Sequence, residues 1–191
     1  MPHRPMRPLR TICVYCGSQP GTDVDFVCAA RQFGKILAEN KVGLVYGGGS
    51  IGLMGELAKS VLRHGGIVTG IIPDFLTDQE RVLTAAQEMI VTRDLHERKR
   101  LMFERADAFV AMPGGVGTLE ELVEQLTWEQ LGHHRKPILI ANLKEFWQPL
   151  LTLMEQMRNS SFIPSAWPVH YLVATCIEDI LPQLQAATAS D

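Results

Sequence analysis

The strongest constraint on the fold of this chain is a repeated alternation of short apolar runs with longer segments of helical periodicity. Residues 11–15, 42–46, 67–72, 108–112 and 137–141 read as strands, with shorter ones at 89–91 and 171–174. Helical spacing covers 23–40, the stretch leading to His64, 95–106, 119–131, 145–158 with a break at Pro149, and 177–185. Strands joined through helices lie parallel, and their runs are continuously apolar because helices cover both faces of the sheet. The expected class is α/β, a Rossmann-like three-layer fold with a doubly wound parallel sheet. No linker or repeat divides residues 11–186, which are expected to form one domain; the basic, proline-rich residues 1–10 are expected to be a disordered tail.

Open sheets of this kind bind ligands beyond the carboxyl ends of their strands, and two glycine-rich turns fall there. Gly114, Gly115 and Gly117 follow the run at 108–112; Gly47, Gly48, Gly49, Gly52 and Gly55 follow the run at 42–46. A helix that starts at such a turn presents unpaired N–H groups and partial positive charge, and residues without Cβ let an anion approach the backbone. Thr118 is placed to cap the second helix or to donate its hydroxyl to a phosphate oxygen. Thr118 and Glu121 also fit the S/T-x-x-E capping box, in which Glu121 reaches back to the Thr118 N–H. On the residues alone, a capping role and a chemical role for Glu121 both stand.

Gly47, Gly49 and Gly52 satisfy the dinucleotide fingerprint, with Asp74 as ribose ligand. The same glycines also suit a tight turn and close helix packing. A dinucleotide fingerprint does not call for a second glycine turn at a later strand end, so two turns converging on one crevice suit a compact phosphorylated ligand. Backbone amides do not suffice to hold it: a helix N-terminus contributes about 0.3–1 kcal/mol, about 2 when partly buried, and micromolar affinity needs about 8 kcal/mol.

The run HERKR at 96–100 supplies candidates for the remainder. Arg98 offers charge-assisted bonds worth about 1.5–3 kcal/mol each; the alternative is a solvated helix face of ordinary ion pairs. His96 reads as structural or exposed. Along the helix after the second turn, Leu119, Leu122, Val123 and Leu126 form the expected apolar stripe, with Glu121, Glu124, Gln125 and Trp128 on a different face. Trp128 in that position fits either a subunit interface or core packing.

Composition narrows the partners. A formal net charge of −3 and a pI near 6.1 give no global electrostatic reason to expect nucleic acid or an anionic membrane. No apolar run approaches a membrane span, and the N-terminus lacks the apolar core of a signal peptide, so a cytoplasmic location is expected. Cys13 and Cys16 form a C-x-x-C inside a strand with no second ligand pair, so they read as ordinary thiols. Neither a metal nor a cofactor is expected.

These segments together resemble the Lonely Guy family, the cytokinin riboside 5′-monophosphate phosphoribohydrolases. The likeness is carried by P-G-G-x-G-T-x-x-E at 113–121, by Glu97, Arg98 and Lys99 upstream, by V-Y-C-G-S at 14–18, Y-G-G-G at 46–49, G-L-M-G at 52–55, and by Thr127 and Trp128. It implies a homodimer with active sites near the subunit interface and hydrolysis of N6-modified AMP, often also of AMP, to free base and ribose 5-phosphate. It further implies that Arg98 and Glu121 are catalytic and that Glu80, Lys99, Gly115, Val116, Gly117, Thr118, Leu119, Glu120 and Thr127 line the nucleotide site. Gly47, Gly48 and Gly49 stand as a candidate second loop. Such proteins have been labelled lysine decarboxylases, but pyridoxal phosphate chemistry needs a Schiff-base lysine and a partner for the ring nitrogen, and nothing in the sequence marks either.

Breaking a ribosyl C–N bond builds oxocarbenium character on the sugar, which a nearby carboxylate stabilises while orienting water. Glu121 is expected in that role. Arg98 is expected to hold the phosphate or support the departing base, and the amides of Gly115 to Thr118 to fix the phosphate. A carboxylate beside a phosphate repels it, so Glu121 is expected to turn toward the ribose. The rival from another class is a non-catalytic nucleotide-binding carrier or sensor on the same loops; a dehydrogenase reading is weaker and would require NAD binding.

Overall fold

In a computed structural model the described residues are 9–79 and 81–189; residues 1–8 of the expected tail and the candidate site residue Glu80 lie outside them. In chain order the elements are β1 (Thr11–Tyr15), α1 (Val24–Glu39), β2 (Gly43–Tyr46), α2 (Gly52–Arg63), β3 (Val68–Pro73), β4 (Glu88–Thr92) and α3 (Leu95–Arg105). They continue with β5 (Ala108–Ala111), α4 (Val116–Gln130), β6 (Ile138–Ala141), α5 (Gln148–Asn159), β7 (Leu172–Ala174) and α6 (Ile180–Ala189). Short 3-10 turns at Asp74–Leu76, Leu143–Glu145 and Ile177–Asp179 join some of them.

Local chemistry explains most of the boundaries. Asp23 caps α1 by accepting from the Asp25 N–H, and Asp94 caps α3 by accepting from the Glu97 N–H at 2.8 Å, while Glu97 reaches back to the Arg93 N–H at 2.9 Å. This reciprocal capping is the arrangement the sequence suggested for Thr118 and Glu121, found instead one helix earlier. Leu9 packs against the core, and Arg10 and Thr11 both donate backbone N–H groups to Asp107.

The seven strands form one parallel sheet in the order β4-β3-β2-β1-β5-β6-β7. Successive β1 residues point to opposite faces. Ile12 and Val14 join a core with Phe33 and Leu37 of α1, Leu57 of α2 and Leu184 of α6; Cys13 and Tyr15 join a second core with Met102 of α3, Leu122 and Leu126 of α4 and Met154 of α5. Three layers result, as the alternation of runs and helices required.

Three expectations need correction. α4 begins at Val116 rather than at Leu119, because Gly115 serves as N-cap in an extended conformation and lets the helix start as soon as the chain leaves the turn. Pro149 does not break a helix: α5 starts at Gln148 with this proline in its first turn, where the missing N–H costs nothing. The buried face of α4 carries Thr118, Leu122, Gln125 and Leu126, whereas Val123 is 43% exposed. With the helix in this phase, residues spaced by three and four from Thr118 face the sheet, and Val123 falls on the solvent side.

Candidate active site

Strand order reverses between β1 and β5, because the chain runs outward from β1 through β2 to β4 and then returns to β5 on the other side. Beyond such a switch point the flanking loops diverge and leave a crevice. The loops after β1, β2 and β5 gather there. The Gly17 N–H donates to the Pro113 carbonyl at 3.0 Å, and the Gly17 carbonyl accepts from the Met54 N–H at 3.2 Å, so the β1 loop ties both glycine turns together. Sequence reasoning did not single out Gly17 as that link, although its place at the end of the central strand was the available signal.

The second glycine turn leaves the start of α4 open. Gly115 provides no side-chain cap, Gly115, Val116 and Gly117 are exposed, and a Cβ added at Gly115 or Gly117 would meet nothing within 4 Å. Gly114 is the opposite case. A Cβ there would collide with the Thr118 side chain and lie 2.9 Å from the Gly17 N, so this glycine permits the close approach of the two loops. Thr118 is 4% exposed, packed behind the turn, and Leu119 is half-buried. First-turn amides without a side-chain acceptor at an open helix end suit an anion.

Arg98 is buried in the floor of this crevice at 7% exposure, which overturns the solvated-face alternative. Its Nε donates to the Ile71 carbonyl at 3.1 Å and its Nη2 to the Gly47 carbonyl at 3.3 Å. Its Nη1 lies 3.8 Å from Glu121 Oε1, and both side chains are close to fully buried. The capping-box alternative for Glu121 fails as well, since with Gly115 as N-cap this residue lies a full turn or more inside α4. Glu121 also makes itself felt below the crevice, where burial chiefly, and its charge secondarily, push the Cys16 thiol up; the same two causes, with Cys13 between them in weight, raise the Tyr15 phenol.

Next to this pair, Lys99 bridges α3 to α4. Its Nζ lies 2.5 Å from Glu120 Oε1 and 2.7 Å from Glu124 Oε2. Burial alone would lower its ammonium, but the hydrogen bonds to the two carboxylates outweigh it and hold the group above its ordinary value. Thr127 lies on the exposed face of α4, its hydroxyl donating to the Val123 carbonyl. Asp74, the ribose ligand of the dinucleotide reading, is exposed in a 3-10 turn, and His96 is exposed. Trp128 packs edge-on against Phe103 at 5.2 Å and against His133 at 5.3 Å, so its ring is used within the subunit.

Among known families, residues 54–184 match a model described as "Possible lysine decarboxylase". The chain is 43% identical to a probable cytokinin riboside 5′-monophosphate phosphoribohydrolase of Oryza sativa subsp. japonica, over 95% of this chain and 79% of that protein. It is 40% identical to the cytokinin riboside 5′-monophosphate phosphoribohydrolase of Rhodococcoides fascians, over 93% of this chain and 90% of the relative, and 44% identical to one from Arabidopsis thaliana, over 81% and 71%. Among solved structures, the molybdenum cofactor carrier protein of Chlamydomonas reinhardtii superposes with a TM-score of 0.70 at 20% identity, covering 96% of this chain and 99% of that one. The molybdenum cofactor binding protein of Rippkaea orientalis gives 0.69 at 22% identity, covering 95% and 98%. These structural likenesses establish a shared fold.

The pyridoxal phosphate that a lysine decarboxylase requires does not fit these residues. Schiff-base formation needs a deprotonated amine, and the buried Lys99 is held protonated between two carboxylates.

Proposed function

The chain belongs to the Lonely Guy family of phosphoribohydrolases, and on that premise we propose that it hydrolyses the N-glycosidic bond of N6-modified AMP, releasing the free base and ribose 5-phosphate. The observation that carries this reading is the buried Arg98–Glu121 pair, 3.8 Å apart, beside the open N-terminus of α4. A phosphate seated on the amides of residues 115–118 would lie at the helix end, with the sugar directed inward along α4 toward Glu121.

In the reaction the C1′–N9 bond breaks with its electron pair going to the purine, and the sugar becomes electron-poor at C1′. Glu121 stabilises that charge and orients the water whose oxygen bonds to C1′; the proton released ends on the departing base. Arg98 is tied to two carbonyls and so acts from a fixed position, orienting the Glu121 carboxylate and offering its remaining donors to the leaving group. Lys99, offsetting one of the two charges of Glu120 and Glu124, reduces the negative potential that would otherwise repel the phosphate. The site also accommodates plain AMP in this scheme, since none of these contacts requires an N6 substituent.

We assign the active form as a cytoplasmic homodimer built through α4. Val116 at 83% exposure, Val123 at 43% and Leu131 at 76% lie along its outer side, and apolar stripes of this kind mark interfaces. Light scattering after gel filtration is expected to give twice the 21.3 kDa chain mass.

The activity test is incubation with isopentenyladenosine 5′-monophosphate and, separately, with AMP, followed by chromatography for free base and ribose 5-phosphate. Release of both products from the modified nucleotide supports the proposal. Tight binding without product would favour a carrier or sensor built on the same loops.

A further inference from the structure

We infer that Gly47 is a positioning residue for Arg98, and that the first glycine turn is a socket for the guanidinium and not a second phosphate cradle. This rests on the proposed role of Arg98 in the reaction.

Three observations converge on it. First, the carbonyls of Gly47, just past β2, and of Ile71 in the adjacent β3 take Nη2 and Nε of Arg98, and the remaining nitrogen is thereby directed at Glu121. A planar fork held at two nitrogens has little freedom at the third. Second, a Cβ at residue 47 would overlap Arg98 Nη2 and lie 2.8 Å from Met54 Sδ. Gly47 is not in the left-handed backbone region, so it is neighbouring side chains, the guanidinium foremost and Met54 after it, and not the backbone, that exclude a side chain here. Third, part of the backbone of this turn, the Ser50 amide included, is engaged within the fold. The Gly48 carbonyl accepts from the Leu83 N–H at 3.1 Å, the Ser50 N–H donates to the Arg81 carbonyl at 2.9 Å, and Gly49 bridges to Val82. The contrast with Gly115 and Gly117, whose Cβ positions face open space, separates a turn shaped around a side chain from one open to a ligand.

A methyl group at residue 47 therefore displaces the guanidinium, on the order of 1 Å, and a shift of that size in a reacting geometry costs about a hundredfold in rate. The loss falls on kcat, because the phosphate contacts at 115–118 are untouched.

The test is a double-mutant cycle on kcat and KM for isopentenyladenosine monophosphate with Gly47→Ala, Arg98→Ala and the double variant, each checked by thermal melting. A Gly66→Ala control introduces a comparable clash, 2.6 Å from Val61 Cγ1 and 2.9 Å from Ala38 Cβ, against α1 and α2. Expected is a fall in kcat of about a hundredfold for Gly47→Ala with little change in KM, near-normal kcat for folded Gly66→Ala, and a further loss of less than about threefold when Gly47→Ala is added to Arg98→Ala. Equal losses in both backgrounds, or wild-type kcat in Gly47→Ala, overturn the inference while leaving the function intact. Wild-type kcat in Arg98→Ala overturns the functional assignment itself. If Gly47→Ala does not fold, Arg98→Lys decides: it keeps the charge without the fork, and the socket requires it to lose nearly as much kcat as Arg98→Ala, so retained activity overturns the inference.

Discussion

Replacing Glu121 by Gln preserves the size and planar head of the side chain and removes its charge, which tests whether that charge serves the reaction or folding alone. A Gln serves a capping box as well as a Glu does, so a capping role requires stability to be unchanged. The structure requires otherwise. Two unit charges 3.8 Å apart in a medium of effective dielectric about 20 interact by about 4 kcal/mol. Part of that is offset because the carboxylate, only 12% exposed, no longer has to be kept ionised away from water. Arg98 retains its bonds to Ile71 and Gly47. The net loss is about 1–2 kcal/mol, which at about 2–4 °C per kcal/mol for a chain of this size lowers the melting temperature by about 2–8 °C. The effect on the reaction is far larger, since loss of a positioned carboxylate costs about 10²–10⁴ in kcat. The assay is initial-rate release of free base at saturating isopentenyladenosine monophosphate, beside a thermal melt of the same preparation. Turnover within threefold of wild type, together with a lowered melting temperature, would refute the argument, because the pair would then matter to folding alone.

Three further outcomes are expected elsewhere in the molecule. Gln125 is 1% exposed, and among the described residues neither its Nε2 nor its Oε1 has a hydrogen-bond partner; Gln125→Met keeps the length, removes the buried amide, and should raise unfolding free energy by about 1–3 kcal/mol in denaturant titration, whereas a loss would show that the amide is satisfied. Burial lowers the His134 imidazole below its ordinary 6.5, outweighing the neighbouring Gln125 backbone, which raises it. A depressed histidine contributes its stability above the unfolded value and loses it as pH falls, so stability should decline below about pH 6.5, and His134→Phe should flatten that decline; an unchanged slope would contradict the assignment. All four cysteines are unpaired, with Cys28 and Cys176 exposed and Cys13 and Cys16 buried and pushed up by that burial. A thiol reagent should modify the exposed pair in the native protein and all four after denaturation, and rapid native labelling of Cys13 or Cys16 would refute their inert role.

Much of the architecture was legible because its causes are local. Apolar runs such as 11–15 and 137–141 become strands buried on both faces, Asp23 marks the start of α1, and the glycines after β1, β2 and β5 announce an abrupt change of direction. The errors were also local. Three residues at the start of α4 were assigned to the turn because glycine has poor helix propensity, while an open helix end tolerates Gly117 in its first turn. The stripe containing Val123 followed residue character, whereas the buried face is set by how α4 lies against the sheet, which turns Gln125 inward and Val123 outward.

Legible in the sequence were a layered α/β chain, glycine turns at strand ends, one of them leading into the helix after Thr118, and Arg98 and Glu121 as the charged residues to watch. Tertiary structure alone decided how those two meet. The groups that hold Arg98 are backbone carbonyls 27 and 51 residues away along the chain. Every residue owns a carbonyl, so no residue type advertises which ones will serve; only the strand order that places β2 and β3 beside α3 selects them. That order, set by packing across the whole sheet, turns a helix-face arginine into a buried guanidinium aimed at a single carboxylate.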